Sequence, residues 1–365
     1  MKILRIAADL YPSMVGGIPI HVHEMSKAQA IMRHDVTVFT SKVNGELERE
    51  KRDGYEIRRF RPIVKVFGNS ITLNMFRDIL NEKEDYDVIH AHSHLFFTTN
   101  ISALVSMLGS PPLVITNHGL VSQTSPSWLS KLYNVTLGKW TFNKADRIIC
   151  YTEDEKKELT NLGVNPIIRV IHNGIDTHLF SPNKEKENLI LWVGRFIPGK
   201  GVEYLIEAFS ILSKKYYDLK LLLIGDGPKK GDILEKAKKL GVREKISTIS
   251  FVPNDKMPTI YRKSKVFVLP SLSEGFPRTI LEAMSCEVPV VSTDLPQIRN
   301  LISDCGFLVP EKNPVALVEA IDRLLSDEDL RNKFGVNGRK KVKKNYNWQE
   351  TVEKTVELYK ECMCA

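Results

Sequence analysis

Two carboxylates eight residues apart, Glu274 and Glu282, are the first candidates for chemistry. They lie in residues 266–293, VFVLPSLSEGFPRTILEAMSCEVPVVST, which hold a strand, a turn, a helix and a second strand in few residues. Residues 266–269 are continuously apolar, as in a strand buried on both faces. Pro270 and Ser271 end it, Gly275 and Pro277 make the turn, residues 280–284 begin a short helix, and 288–291 are apolar again. That is the strand–helix–strand unit of a parallel sheet. On one continuous helix the two carboxylates would stand roughly 12 Å apart. The turn instead leaves Glu274 in the loop and Glu282 in the helix, so both can face the crevice at the strand's C-terminal edge, where open α/β sheets bind ligands. The helix N-terminus between them offers unpaired N–H groups and a positive dipole end to an anion. Hydroxyl-accepting carboxylates around an anion site suit a phosphorylated sugar or a nucleotide.

A second constellation is cationic. In Gly194-Arg195-Phe196-Ile197-Pro198-Gly199-Lys200-Gly201, two cations share one glycine-rich loop after the apolar run 189–193. Glycines allow close backbone approach, and a diphosphate leaving group needs such positive charge, above all without a metal. This is not a Walker P-loop, because Gly201 rather than Ser or Thr follows Lys200. His118 ends the run 112–116 in ITNHG and is placed to reach a ligand at a strand's C-terminal edge; its plainer reading is a capping side chain. Gly16-Gly17 stands between an expected strand at 2–7 and a helix at 21–32, as in phosphate sites; the plainer reading is a flexible turn. Gly-x-Gly-x-x-Gly is absent, which disfavours a nicotinamide or flavin enzyme.

Two further groups suggest metals and are read otherwise. Asp85-Tyr86-Asp87 precedes the strand expected at 88–91 and sits at its N-terminal edge, away from the ligand side, so it reads as a turn. His90, His92 and His94 share one face if the strand runs that far, and three imidazoles could hold zinc. No Cys or carboxylate completes the set nearby, and no metal site is expected.

The elements that position these residues alternate in type along the chain. Strands are expected at 2–7, 35–41, 56–60, 88–91, 112–116, 147–152 and 168–171, then at 189–193, 219–224, 246–252, 266–269, 288–291 and 306–309, with helices between most of them. Residues 44–54 read as a surface hairpin loop, and 63–73 show no clear pattern and read as mobile. Residues 121–142 have partly helical apolar spacing at Trp128, Leu129, Leu132, Tyr133, Val135, Leu137 and Trp140. Packing on the sheet is the plain expectation; lining an acceptor site or touching a membrane is the alternative. A turn at 172–176 and a polar stretch at 181–188 mark a linker, and 365 residues suit two domains.

No apolar run approaches the ~20 residues of a membrane span, and MKILRIAADL reads as a first strand rather than a signal peptide. Five scattered cysteines suggest a reducing cytosol, with Cys362 and Cys364 on a frayed tail. A net charge of +8 admits a phosphorylated substrate, an anionic membrane or nucleic acid. No nucleic-acid signature accompanies the basic clusters at 58–65 and 339–344, which read as solvated faces.

Taken together, the segments resemble the retaining glycosyltransferases of the GT-B superfamily, glycosyltransferase family 4. SEGFPRTILEAMSCEVPVVST is similar to that family's Glu-x7-Glu signature, YPSMVGGIPIHVHEMSKA to its glycine loop, ITNHG to its Thr-x-His segment, VIHNGID to its interdomain hinge and GRFIPGKG to its GR…P.KG loop. The resemblance covers nearly the whole chain. It implies an α/β fold of two Rossmann-like doubly wound domains facing across a cleft (GT-B). The expected acceptor-side domain is 1–176, with 347–365 returning to it as a helix; the expected donor-binding domain is 177–346. It implies transfer of a sugar from a nucleotide diphosphate sugar to an acceptor hydroxyl, with retention and without metal or other cofactor. Catalytic roles fall to His118, Glu274, Arg195 and Lys200. Donor contacts fall to Gly16, Gly17, Gly194, Val252, Gly275, Phe276, Pro277, Thr279, Ile280 and Glu282, the last on the ribose. Pro277 departs from the commoner glycine and removes one N–H. The expected partners are a UDP- or GDP-sugar and a sugar, polyol or lipid-linked glycan acceptor, with no nucleic acid. The expected location is cytoplasmic, with peripheral contact at the inner face of the membrane left open. A sugar-nucleotide epimerase of the same fold, a phosphorylase-like enzyme and a non-catalytic sugar-nucleotide-binding module are the alternatives. The epimerase lacks an identifiable acid/base pair, and the phosphorylase lacks a pyridoxal-lysine site.

Overall fold

The computed structural model describes residues 1–14, 16–66, 68–109, 111–120, 126–183 and 185–364. Val15 of the glycine loop, Phe67 and residues 121–125 of the expected amphipathic stretch lie outside the described residues. The chain divides into two compact units, Met1–His172 with Glu350–Ala365, and Asn173–Gln349, so the division falls inside the 172–176 turn.

In the first unit the strands are β1 (Lys2–Ile6), β2 (Asp35–Ser41), β3 (Arg49–Arg52), β4 (Tyr55–Phe60), β5 (Val64–Val66), β6 (Asn69–Ile71), β7 (Val88–His92), β8 (Leu113–Thr116), β9 (Arg147–Cys150) and β10 (Ile167–Val170). Eight of them form one sheet in the order β10-β9-β8-β7-β1-β2-β4-β3, parallel except for β3 against β4. Alternate residues of each strand enter opposite cores. Leu4, Ile6, Ile89, Ala91, Leu113 and Ile115 pack on one face. Ile3, Val36, Val38, Val88 and Val114 pack on the other, together with Leu358 and Tyr359 of the C-terminal helix Trp348–Met363. Burial on both faces is why these strands read as unbroken apolar runs.

In the second unit β11 (Leu189–Val193), β12 (Lys220–Ile224), β13 (Ile246–Ile249), β14 (Val266–Leu269), β15 (Val290–Thr293) and β16 (Gly306–Val309) form an all-parallel sheet. The order β13-β12-β11-β14-β15-β16 is the doubly wound 3-2-1-4-5-6 arrangement. The order in which strands are added reverses between β11 and β14, so the loops leaving these two parallel strands flank the switch point. Those are the loops that carry Arg195, Lys200 and Glu274.

Several expectations are corrected. Residues 44–54 are not only a loop: β3 pairs there with β4. Its sequence REKR has no apolar period, because it is an edge strand held by backbone bonds and guarded by charge. Residues 63–73 contain the antiparallel pair β5–β6 rather than patternless chain. The helix expected from 21 begins at Gly17, since Pro19 falls in the first turn, where a missing N–H costs nothing. The strand expected at 288–291 starts at 290. Glu287 turns left-handed at φ 55, and Val288 N–H bonds back to Ala283 O at 2.9 Å, so both residues close the preceding helix. Cys362 is buried in the first unit's core, not on a frayed tail. Arg59 is buried between Glu46 and Glu50 rather than solvated.

Candidate functional site

In the second unit the Lys200 ammonium meets the Glu274 carboxylate at 2.7 Å, across 74 positions of sequence. Backbone packing holds the two loops together. Leu272 N–H donates to Gly199 O at 2.9 Å. Gly201 is left-handed at φ 60, and a Cβ there would stand 2.1 Å from Pro270 O, so this approach requires glycine. Ser271 Oγ donates to the same Glu274 oxygen at 2.6 Å, a partner that sequence reasoning did not single out although it lies in the quoted segment. The side chains of Lys200 and Glu274 are only 12% and 7% exposed. Arg195 is exposed, and among the described residues its side chain forms no ion pair. Gly194 is packed under the next loop: a Cβ on Gly225 would fall 1.8 Å from its carbonyl oxygen.

The helix Arg278–Ser285 starts immediately after Pro277, and Thr279 is half-exposed in its first turn. Ile280 N–H already donates to Pro277 O at 3.1 Å. Gly275 and Phe276 are half-buried, with the Phe276 ring 5.8 Å from that of Tyr346. Glu282 does not share a surface with Glu274. It is 4% exposed, and both its oxygens are engaged, one by Arg278 Nε at 3.0 Å and the other by Tyr261 OH at 2.8 Å. Burial raises its carboxyl above the usual range, against the pull of Arg278 and Tyr261. Val252 is half-buried beside the same core. Neither Arg278 nor Tyr261 stood out in the sequence. Arg278 lies four residues before Glu282, a helical ion-pair spacing that could have flagged it.

In the first unit the ends of β7, β8 and β9 bring His92, His118 and Tyr151 together. His118 Nε2 is 3.1 Å from His92 Nδ1, and His118 Nδ1 is 3.0 Å from Tyr151 OH. His21, on the helix Gly17–Ile31, completes the group with its ring 5.4 Å from that of His118. Both nitrogens of His118 are therefore engaged. Burial first, then the nearby His21, holds its imidazole well below the ordinary histidine range, so it is neutral at physiological pH. Gly17 starts that helix, and a Cβ there would meet nothing within 4 Å; a Cβ on Gly16 would meet only Pro19 Cδ, at 3.6 Å. Packing does not demand glycine at either position.

The three alternating histidines diverge. His90 turns to Thr116 Oγ1 at 2.7 Å and to Tyr359 OH, and His92 turns to His118. Ser93 turns left-handed at φ 65, which sends His94 to Asn134 Oδ1 at 2.9 Å. Asp87 accepts the Lys2 N–H at 2.7 Å, as a turn residue would.

Glu155 stabilises the loop that carries Tyr151. It follows the N-cap Thr152, whose hydroxyl accepts the Glu155 N–H, and its own carboxylate accepts the Tyr151 N–H at 2.7 Å. Burial pushes this carboxyl up to about 7. Because the folded value lies above the unfolded one, its contribution is complete below the ordinary carboxyl range and is lost as the pH rises through about 7. Glu155→Gln keeps the acceptor and removes the charge. The variant is expected to lack a pH-dependent loss on the order of 3 kcal/mol that the parent shows over that window. Urea-unfolding midpoints at a series of pH values measure it, and parallel curves for the two proteins would refute it.

Comparison with known proteins places these observations in a family. Residues 175–341 match the model for glycosyl transferases group 1, and 15–179 match that for Glycosyltransferase Family 4. An uncharacterized glycosyltransferase of Methanocaldococcus jannaschii is 29% identical over 100% of this chain and 99% of its own length. Among solved structures, sucrose-phosphate synthase from Thermosynechococcus elongatus superposes with a TM-score of 0.84 at 22% identity, covering 100% of this chain and 99% of that one. Anabaena HepE in complex with UDP and glucose gives 0.82 at 19% identity, covering 99% and 100%.

Proposed function

The chain belongs to glycosyltransferase family 4, with the GT-B fold, and from this we propose that it transfers a sugar from a UDP- or GDP-sugar to an acceptor hydroxyl with retention and without metal. The observation that carries the donor assignment is the Lys200–Glu274 pair at the sheet's switch point, on whose first loop Arg195 is exposed and, among the described residues, without an ion pair. A diphosphate would draw Lys200 and Arg195, and Glu274 would then be released to accept sugar hydroxyls. HepE, whose structure holds UDP and glucose, makes a UDP-sugar the first donor to test.

In the proposed step the acceptor oxygen forms the new bond to the anomeric carbon as the bond to the donor's diphosphate oxygen breaks. The leaving diphosphate takes the electron pair, and its oxygen receives the acceptor's proton. Arg195, Lys200 and the helix N-terminus at Thr279 stabilise the charge that develops. No protein nucleophile is assigned. Gly16 and Gly17 leave room for backbone approach to the phosphates, and Val252 backbone is the candidate contact for the base. His118, being neutral, is suited to a positioning hydrogen bond to the sugar, made by exchanging one present partner. Glu282 is the candidate for the ribose, a contact that requires it to exchange Tyr261 or Arg278 for a ribose hydroxyl. The acceptor class stays that of a sugar, polyol or lipid-linked glycan.

The test is a thermal-shift panel of UDP- and GDP-sugars in the presence of a chelator, followed by NMR of the anomeric proton of any product. One donor is expected to raise Tm, and the product is expected to keep the donor's anomeric configuration. A folded protein that no donor shifts would remove the donor assignment. An inverted product would remove retention while leaving the transferase reading intact.

A further inference from the structure

The helical stretch after residue 126 is built inside out. Ser127–Tyr133, Asn134–Gly138 and Lys139–Phe142 run on as one rod with a π turn in its middle. A helix on a globular protein normally turns its apolar stripe inward. Here much of the inward face is polar and held by hydrogen bonds. Asn134 bonds His94 and Leu120 O, Tyr133 OH donates to His94 O at 2.7 Å, and Thr141 bonds Asn100 of the neighbouring helix Phe97–Ser106. Gly138 sits in the π turn where a Cβ would press on His94 at 3.1 Å. The outward face carries Trp128, Leu132 and Val135, at 66%, 53% and 56% exposure, with spacing i, i+4, i+7. The expectation that these three residues pack on the sheet is therefore wrong. Polar anchoring of the opposite face turns them to solvent.

The charge along this stretch of sequence has one sign. Residues 88–145 contain no Asp or Glu, although the chain has 44, and their only Lys or Arg residues are Lys131, Lys139 and Lys144. Lys131 is exposed between Trp128 and Leu132, and Lys139, one turn beyond Val135, is half-buried with its ammonium near Gly163. Leu104, one turn past the anchoring Asn100, is also exposed. Among the described residues no helix is long and apolar enough to cross a membrane.

We infer that this face docks on an anionic lipid surface, lying in the headgroup plane with Trp128, Leu132 and Val135 immersed and the lysines on the phosphates. Charge decides between occupants. A second copy of the chain would bring its own lysines to the same stripe, whereas an anionic bilayer complements the exposed Lys131 and the half-buried Lys139 beside it. The inference does not depend on the donor site, but it favours a lipid-linked acceptor among the classes proposed above.

The full-length protein is sedimented with vesicles of phosphatidylcholine mixed with phosphatidylglycerol, and with vesicles of phosphatidylcholine alone. Binding is expected only to the mixed vesicles and to weaken with added salt. A Trp128→Ser/Leu132→Ser variant and a Lys131→Glu/Lys139→Glu variant are each expected to bind them at least about tenfold more weakly. Ile211→Ser, at an exposed apolar residue of the second unit, is expected to bind as the parent does. Unchanged thermal unfolding and donor-induced shift would show that both double variants are folded. No binding to mixed vesicles, or equal binding by both double variants, overturns the inference. A dimer that the Trp128→Ser/Leu132→Ser variant dissociates, without vesicle binding by the parent, overturns it in favour of a second copy.

Discussion

Lys200→Ala is expected to lower kcat with the best nucleotide sugar by about 10²–10³-fold, the range found when one preorganised donor to a developing charge is removed. Without ligand, Lys200 is held 2.7 Å from Glu274 in a spot where neither side chain is much exposed. The substitution therefore removes a cation from the diphosphate and, among the described residues, also leaves Glu274 with Ser271 as its remaining side-chain partner. The two effects separate in measurement. Loss of diphosphate stabilisation appears in kcat and in the Kd for UDP, which calorimetry reads directly. The freed carboxylate appears as a change in Tm without ligand. Lys200→Ala/Glu274→Gln is expected to restore Tm but not kcat. A Lys200→Ala enzyme within tenfold of the parent in kcat would sink the assignment, because a salt bridge that merely ties two loops would not touch the leaving group.

Arg278→Ala is expected to have the largest effect on stability, about 3 kcal/mol or more, as for one partner removed from a buried ion pair. In a unit of this size that corresponds to a fall in Tm on the order of 10 °C. Among the described residues Glu282 is then left buried with Tyr261 as its hydrogen-bond partner, and the packing of the guanidinium over the Trp348 ring, 5.8 Å away, is also lost. Burial already raises the Glu282 carboxyl, and losing Arg278 raises it further. A raised carboxyl contributes fully below the ordinary carboxyl range and is lost as the pH rises. The deficit of the variant should therefore be smaller in mild acid than at neutral pH. Replacing both partners with apolar residues, Arg278→Met/Glu282→Leu, is expected to recover most of the loss in Tm. A double variant as unstable as Arg278→Ala would show that the pair is not the source. The same double variant tests the ribose role of Glu282, since it should fold and yet bind UDP more weakly.

Much of this molecule follows from local sequence. Continuous apolar runs located most strands of both sheets, and turn residues located the loops at their C-terminal edges. Residue type together with placement in loops after expected strands nominated Arg195, Lys200, Glu274 and His118, and the family resemblance supplied their roles. Where the local reading failed, it failed for a stated reason. The strand β3 has no apolar pattern because it is an edge, and β15 starts two residues late because Glu287 and Val288 close a helix.

Partnership is what the sequence could not contain. That Lys200 meets Glu274, that Tyr261 and Arg278 take up both oxygens of Glu282, and that His92 and Tyr151 occupy both nitrogens of His118 depend on which strands lie side by side. Strand order is settled by the packing of two cores, not by any short segment. The helix after residue 126 is the clearest case. Its apolar spacing is visible in the sequence, but which face turns inward was decided by hydrogen bonds to His94, Leu120 and Asn100, residues that only the folded chain brings to it.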